Sequence, residues 1–232
     1  MPSPRIVVNA DDLGLSPAVN RAILEGLDAG WLSDASVIVT GPAFAELRPL
    51  LAGRSLGLHV DVSEFASLTG PLHGRRGLDF PISAVGDLVT EISAQCERLL
   101  DAGLTVSHVD SHQHAHYQPV VFEALLRAAA RYRIPYARGI SNVPPTRFRR
   151  QVRRRLSTER ARYSGIGTLA AFGPAAMIQV ALDAGWRPDT LEVMCHPGHY
   201  QPKYEDEIRW LQTRPFHLIG GSVVAYSAFR TR

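Results

Sequence analysis

The chain has 232 residues, of which 45% are hydrophobic and 20% are charged. These values exclude a disordered chain and are typical of a globular protein with one large or two small domains. The formal net charge of +3 at pH 7 is small, and many arginines concentrate between Arg147 and Arg162.

The cysteine content and the apolar runs indicate the compartment. Cys96 and Cys195 are too few for a disulfide framework and fit a reducing environment. The first residues show no long apolar segment with a cleavage site, so a signal peptide is not expected. No apolar run approaches the roughly 20 residues that span a bilayer. We therefore expect a cytoplasmic protein without membrane insertion, and a homo-oligomer stays open.

Strand and helix patterns alternate along the chain. The predicted strands are Arg5–Asn9, Ala35–Thr40, Ser55–Val60, Thr105–Val109, Ile134–Arg138, Thr190–Met194 and Phe216–Ile219. The predicted helices run from Ser16-Pro17 to Gly30 and over Ala43–Leu51, Val85–Ala102, Gln118–Arg133, Gly173–Ala184 and Tyr204–Thr213. This order predicts a single α/β domain over residues 1–232 with a largely parallel sheet. The number of units is compatible with a TIM-like barrel of seven or eight strands.

The stretch Ser107–Tyr117 carries the strongest chemical signal, with four of the nine histidines. In an extended chain, five of its side chains would project to one side: His108, Asp110, His112, His114 and His116. Imidazoles and carboxylates are common metal ligands and proton carriers. A polar loop is the alternative, but burying five such groups without a shared partner is costly. A metal site is therefore the favoured interpretation.

Other polar groups also follow the ends of predicted strands, namely Asp11-Asp12, His59 and His196-Pro197-Gly198. In α/β barrels, this rim holds the active site. One carboxylate with two imidazoles leaves positions on a metal open for water and substrate. Two adjacent acids allow one to bind the metal while the other serves as a base. The alternatives are an acid pair stabilised by a helix dipole and a turn with an incidental histidine.

Two further segments carry weaker signals. Glu64–Pro81 is rich in glycine and proline and is long for a plain connection, which favours a binding loop. The basic stretch Arg147–Arg162 is compatible with nucleic-acid binding, but a solvated helix face is the favoured interpretation. We therefore expect no nucleic-acid partner.

Several ordered motifs resemble those of the YdjC-like carbohydrate deacetylases, of which chitooligosaccharide deacetylase is the best-known member. The motifs are N-A-D-D-L-G at Asn9–Gly14, L-G-L-H at Leu56–His59, L-T-G-P-L at Leu68–Leu72, H-V-D-S-H-Q-H-A-H at His108–His116 and C-H-P-G at Cys195–Gly198. The resemblance runs from Arg5 to about Gly221. It implies a distorted (β/α) barrel and metal-dependent removal of N-acetyl groups from an amino sugar or short oligosaccharide, with release of acetate.

The resemblance also implies roles for single residues. Asp12, His59 and His112 would bind one divalent metal ion, with Mg²⁺ favoured by the family and Zn²⁺ or another transition ion suited to the imidazoles. Asp11 would be the general base and His196 the general acid. Further residues are expected to orient the ligands or to contact the substrate: His108, Asp110, His114, His116 and Arg138.

The chain departs from the family pattern at Leu13, where the family usually has phenylalanine, and in a short loop around Arg75–Pro81. Three other functions stay open. His108-x-Asp110 with a distant histidine resembles the ligand set of iron oxygenases, although alternating strands and helices argue against their fold. The rim or the basic stretch would otherwise belong to a non-catalytic binder of glycan or nucleic acid. A metal-dependent hydrolase acting on another acylated substrate is the third.

Overall fold

The computed structural model describes residues 3–72, 80–144 and 148–229 of the chain. Within these residues, eight strands form one sheet in which every pairing is parallel. The strands are β1 (Arg5–Leu13), β2 (Asp34–Val37), β3 (Ser55–Val60), β4 (Thr105–Ser111), β5 (Tyr136–Ala137), β6 (Ala171–Pro174), β7 (Thr190–Cys195) and β8 (Ser222–Val223). The α-helices are α1 (Pro17–Asp28), α2 (Phe44–Leu47), α3 (Val85–Leu100), α4 (Pro119–Arg131), α5 (Phe148–Tyr163), α6 (Ala175–Asp183) and α7 (Pro202–Gln212).

The sheet curls towards a barrel, with strand order β5-β4-β3-β2-β1-β7-β6 and β8 beside the start of β1. The segment before β6 closes on β5 through backbone hydrogen bonds. The amide of Ala137 donates to the carbonyl of Gly167 at 2.9 Å, and the amide of Gly167 donates to the carbonyl of Pro135 at 2.8 Å. The predicted single α/β domain with a distorted barrel of mostly parallel strands is confirmed.

Each central strand alternates between an apolar and a polar face, as the two-residue period of a strand requires. In β1, Ile6, Val8 and Ala10 join the main hydrophobic cluster. The polar residues that alternate with such apolar positions in the strands are also buried: Asn9, Asp11, Ser36, His59, His108, Asp110 and Glu192. The helices therefore cover an apolar outer face, while hydrogen-bonding side chains fill the barrel interior.

The predicted last strand is wrong. Phe216–Ile219 lies in a 3₁₀ turn, Pro215–Ile219, and the eighth strand is Ser222–Val223. Pro215 sets the backbone for the first turn, and Gly220 ends the turn with a φ of +67°. An apolar run flanked by proline and glycine therefore formed a turn.

The predicted helix Gly173–Ala184 begins two residues too early. Gly173 and Pro174 end β6, a strand that the sequence analysis missed, and α6 begins at Ala175. Pro174 has the extended angles φ −69° and ψ 148° and precedes the helix as its cap. The four-residue strand is too short to show a clear period.

Some predictions stay open. Residues 73–79 of the predicted binding loop, which include most of the short stretch around Arg75–Pro81, lie outside the described residues. No helix in the described ranges is long and apolar enough to cross a membrane. The cytoplasmic location, the oligomeric state and the extent of the domain over residues 1–232 stay predictions.

Candidate active site

Asp11 and Asp12 lie near the end of β1, and both contact residues inside the barrel. In a regular strand, neighbouring side chains point to opposite faces. The register of β1 against β2 shifts between Ala10 and Leu13, and Asp12 has a φ of +72°. A non-glycine residue in this left-handed region costs about 1–3 kcal/mol and is concentrated at functional sites. The bulge therefore brings two adjacent carboxylates to one cleft.

The carboxylate of Asp12 lies beside two imidazoles. His59 belongs to β3, and His112 begins the 3₁₀ turn His112–Tyr117 that follows β4. Oδ1 of Asp12 is 3.3 Å from Nε2 of His59 and 2.9 Å from Nδ1 of His112. All three residues are buried, and one ligand atom from each lies within 4.8 Å of the others. The structure thus brings together the three residues that the resemblance selects as metal ligands.

The electrostatics of this cluster favour a cation. Burial would lower the pKa of His59, but the carboxylates of Asp110 and Asp11 hold that pKa well above its ordinary value. Burial would also lower the pKa of His112, yet its hydrogen bond with Asp12 raises it. The pKa of Asp12 is far below its ordinary value because bonds from the imidazoles outweigh burial. Protons and divalent ions compete for the same ligand atoms, and the negative surroundings of this cluster favour either one. One carboxylate and two imidazoles therefore fit a metal here.

Behind the cluster, the buried guanidinium of Arg138 joins three carboxylates. Its Nη1 and Nη2 donate to the two oxygens of Asp11 at 2.7 and 2.6 Å. Nη2 also lies 2.7 Å from Oδ2 of Asp110, and Nε donates to Glu192 at 2.8 Å. Burial would raise the pKa of Asp11, but Arg138 and His59 lower it. Asp11 is therefore an ionised carboxylate with a fixed orientation.

The barrel floor beneath Arg138 is built around Tyr226. The hydroxyl of Tyr226 donates to Glu192 at 2.6 Å, and its amide donates to Asp34 at 2.9 Å. The ring of His108 stacks on Tyr226 with centroids 4.0 Å apart. Burial raises the pKa of Asp34 to about 8 and lowers that of His108 to about 3. His108 is thus a neutral packing residue of the floor.

The prediction that five side chains of the histidine stretch project to one side is wrong. Only His108 and Asp110 lie in β4, because the chain turns at His112, and the next two residues have left-handed φ values of 50° and 54°. Both ring nitrogens of His116 face protein oxygens, Ser111 Oγ at 2.6 Å and the Gly139 carbonyl at 3.3 Å. His114 stacks on Tyr117, and burial lowers the pKa of His114 to about 4.

His196, the predicted general acid, follows β7 and packs against Tyr204 with ring centroids 4.8 Å apart. Its buried Nδ1 has no hydrogen-bond partner among the described residues. Burial lowers the pKa of His196. The sequence analysis missed His199, whose Nε2 lies 3.1 Å from Oδ2 of Asp12 with the distance of an ion pair but not the alignment of a hydrogen bond. Its place three residues after His196 on the same rim was the available signal.

Glu64 is a second residue that the sequence analysis did not select. Its Oε2 lies 2.7 Å from Nε2 of His112 and accepts a hydrogen bond from the side chain of Gln113 at 2.9 Å. The sequence signal was only its place at the start of the predicted binding loop. The site therefore combines residues from strand ends with one residue from a loop.

The family model of the YdjC-like proteins matches residues 5–217. The chain belongs to the YdjC-like family. This confirms the resemblance drawn from the motifs. A carbohydrate deacetylase from Geobacillus stearothermophilus is 35% identical over 56% of this chain, but the match spans only 57% of that protein. A carbohydrate deacetylase from Vibrio cholerae is 28% identical, and the match covers 87% of this chain and 81% of that protein.

Solved structures share the fold of this YdjC-like chain. An Enterococcus faecalis protein described as a candidate cellobiose-phosphate cleavage protein superposes with a TM-score of 0.73 at 19% identity, covering 98% of this chain and 99% of that one. A lactam utilization protein from Thermus thermophilus gives a TM-score of 0.55 at 17% identity, covering 95% and 99%. At these identities, the likeness concerns the fold alone.

Proposed function

We propose that this YdjC-like protein is a metal-dependent hydrolase that removes an N-acetyl group from an amino sugar or a short, chitooligosaccharide-like saccharide and releases acetate. The observation that carries the proposal is the buried Asp12–His59–His112 cluster beside the ionised Asp11. The relatives named carbohydrate deacetylase support the substrate class.

Asp12, His59 and His112 would hold one divalent ion through one carboxylate oxygen and two imidazole nitrogens. When bound, such an ion polarises an acyl oxygen and lowers the pKa of water. The family resemblance favours Mg²⁺, while two imidazoles suit Zn²⁺ or another transition ion equally well. The protein contributes the buried ligands, two of them on strands and His112 on the turn after β4.

Asp11 would act as the general base, taking a proton from the water whose oxygen attacks the acetyl carbon. Arg138 holds both oxygens of Asp11, which fixes the orientation of the carboxylate and keeps it free of a proton at neutral pH. As the carbon–nitrogen bond breaks, His196 would protonate the departing amine. A lowered pKa makes the protonated imidazole of His196 a stronger acid but leaves little of it at neutral pH, so the proton that Asp11 takes from the water would supply the amine through His196.

The test is acetate release from N-acetylglucosamine oligomers by protein that has been stripped of metal and then reloaded. We expect metal-dependent acetate release that disappears in His112→Ala. Tight metal binding that needs His112, without acetate release, would instead indicate another acylated substrate. If the protein neither releases acetate nor binds metal, the proposal is overturned and a non-catalytic glycan binder is favoured.

A further inference from the structure

Both imidazoles of the cluster carry a second carboxylate on the ring nitrogen that faces away from Asp12. Nε2 of His59 faces Asp12, and its Nδ1 lies 2.7 Å from Asp110. His112 has the reverse orientation, with Nδ1 towards Asp12 at 2.9 Å and Nε2 towards Glu64 at 2.7 Å. A carboxylate on the outer nitrogen fixes the tautomer of a ligating histidine and turns its lone pair towards the metal.

The geometry points to Glu64 as a positioning residue: it holds His112 through Nε2, so that Nδ1 is presented to a cation bound at Asp12. This inference rests on the proposed metal-dependent function. With a cation in place of the proton that Nδ1 shares with Asp12, the hydrogen bond from Nε2 to Glu64 would leave Nδ1 as the ligand atom. Glu64 itself acts through His112 and is not assigned a place on the metal.

His112 lies outside the sheet, so side-chain contacts rather than strand pairing orient it. His112 begins a turn whose next two residues, Gln113 and His114, have left-handed φ values of 50° and 54°. Gln113 donates from its side chain to the same Glu64 oxygen at 2.9 Å. The ring of Phe65 stacks against the imidazole of His112 with centroids 6.4 Å apart. Glu64 and Phe65, which are neighbours in the loop, therefore orient His112 from outside the barrel.

The loop that carries Glu64 is itself firmly held, which separates Glu64 from an incidental surface acid. The buried carboxylate of Asp61 accepts hydrogen bonds from the amides of Ser63, Glu64 and Phe65 at 3.0, 3.0 and 2.9 Å. The backbone of Asp61 is fixed at both its amide and its carbonyl by the side chain of Gln95 in α3. Hydrogen bonds between α3 and Asp61 and between Asp61 and the loop amides thus fix the backbone at Glu64.

The first experiment measures the affinity of metal-stripped protein for Zn²⁺ by calorimetry, without any substrate. We expect Glu64→Ala to weaken binding by about 10–100-fold. Glu64→Gln should lose less, because its amide oxygen still accepts from Nε2 of His112. Glu46→Gln, which changes an exposed glutamate in α2, is the matched control and should bind as the wild type does. Equal affinity of the wild type and Glu64→Ala would overturn the inference and leave the proposed function intact.

The second experiment uses Co²⁺ as the metal and compares visible absorption at saturation. A positioning residue leaves the set of ligands unchanged, so Glu64→Ala should reach the wild-type spectrum at a higher Co²⁺ concentration. His112→Ala should give a different spectrum because a ligand is lost. A changed saturated spectrum in Glu64→Ala would make Glu64 a ligand and overturn the positioning role. Wild-type protein that binds neither ion would overturn this inference and the proposed function together.

Discussion

The two imidazole–carboxylate pairs of the site differ in how the fold holds them. His59 and Asp110 lie opposite each other on β3 and β4, where the register of the parallel sheet pairs them directly, and both are buried. His112 and Glu64 lie on a turn and a loop, and the Glu64 side chain is 42% exposed. The first pair is therefore part of the folded core, whereas the second is a rim contact that can change without unfolding the barrel.

Removing Arg138 is expected to have the largest effect on stability. Arg138 pairs with Asp110 of the core pair and with the neighbouring Asp11. Arg138→Met would leave Asp11 and Asp110 buried without their cation. Breaking a buried ion pair from one side costs about 3–5 kcal/mol. Urea unfolding of metal-free protein at pH 7 measures this loss. A loss below about 1 kcal/mol would mean that the carboxylates take up protons when Arg138 is absent and that the network adds little to stability.

Two controls accompany this measurement. Arg155→Met changes an exposed arginine in α5 and should alter the free energy of unfolding by less than about 0.5 kcal/mol. Arg138→Lys keeps the charge but loses the fork of donors, so it should recover only part of the stability. If Arg138→Met does not fold at all, recovery by Arg138→Lys still identifies the charge as the cause.

Asp110→Asn and Glu64→Gln compare the two pairs directly. Asp110 accepts from Ser36 and Arg138 and pairs with His59, so its neutralisation should cost about 2–3 kcal/mol of unfolding free energy. Glu64→Gln should cost less than about 0.5 kcal/mol, since the exposed carboxylate is screened by water. Both should weaken metal binding. Urea unfolding and calorimetry measure the two quantities, and equal stability losses would contradict the distinction between core pair and rim contact.

The same distinction explains what the sequence could predict. The strand ends at Asp11-Asp12, His59 and Asp110 follow from short apolar runs, and parallel strands bring such ends to one rim. Glu192 also had a signal, because a charged residue within an apolar strand pattern indicates a polar interior. Its partner Arg138 follows a strand of only two residues, so their contact depends on how the sheet curls.

The residues that sequence analysis missed lie where local conformation decides position. The left-handed backbone after His112 breaks the alternation that an extended chain would show. Histidines at every second position therefore do not lie on one side of the chain. Asp61 accepts hydrogen bonds from the loop amides around Glu64, and Glu64 in turn contacts His112; these bonds follow no periodic sequence pattern. Such contacts depend on tertiary structure and leave little trace in spacing.

Another buried carboxylate, Glu207 in α7, sharpens the comparison because no cation in the described part of the chain forms an ion pair with it. Its Oε2 has no hydrogen-bond partner within the part of the chain that the structure describes. Burial raises the pKa of Glu207 to about 7 from an ordinary value of 4.5. Arg138 and His59 hold Asp110 ionised, whereas burial keeps the Glu207 proton bound up to a pH of about 7. For Asp110 and Glu207, contact with a cation rather than burial alone separates the ionised acid from the acid with a raised pKa.

This assignment predicts the direction of a pH effect. Between pH 4.5 and about 7, the folded protein binds the Glu207 proton more tightly than the unfolded chain, so this residue makes stability fall as pH rises. Glu207→Gln removes that loss. The variant should therefore match the wild type near pH 4.5 and exceed it above pH 7 by up to about 3 kcal/mol.

Urea unfolding of both proteins across pH 4.5–8 measures this difference, with chelator present so that metal binding does not contribute. Glu205→Gln, on the exposed side of the same helix, is the matched control. Titration of the histidine cluster affects the variant and the wild type alike and cancels in the difference. If the advantage of Glu207→Gln is constant with pH, the glutamate is already ionised in the fold, and burial without a cation does not decide the charge.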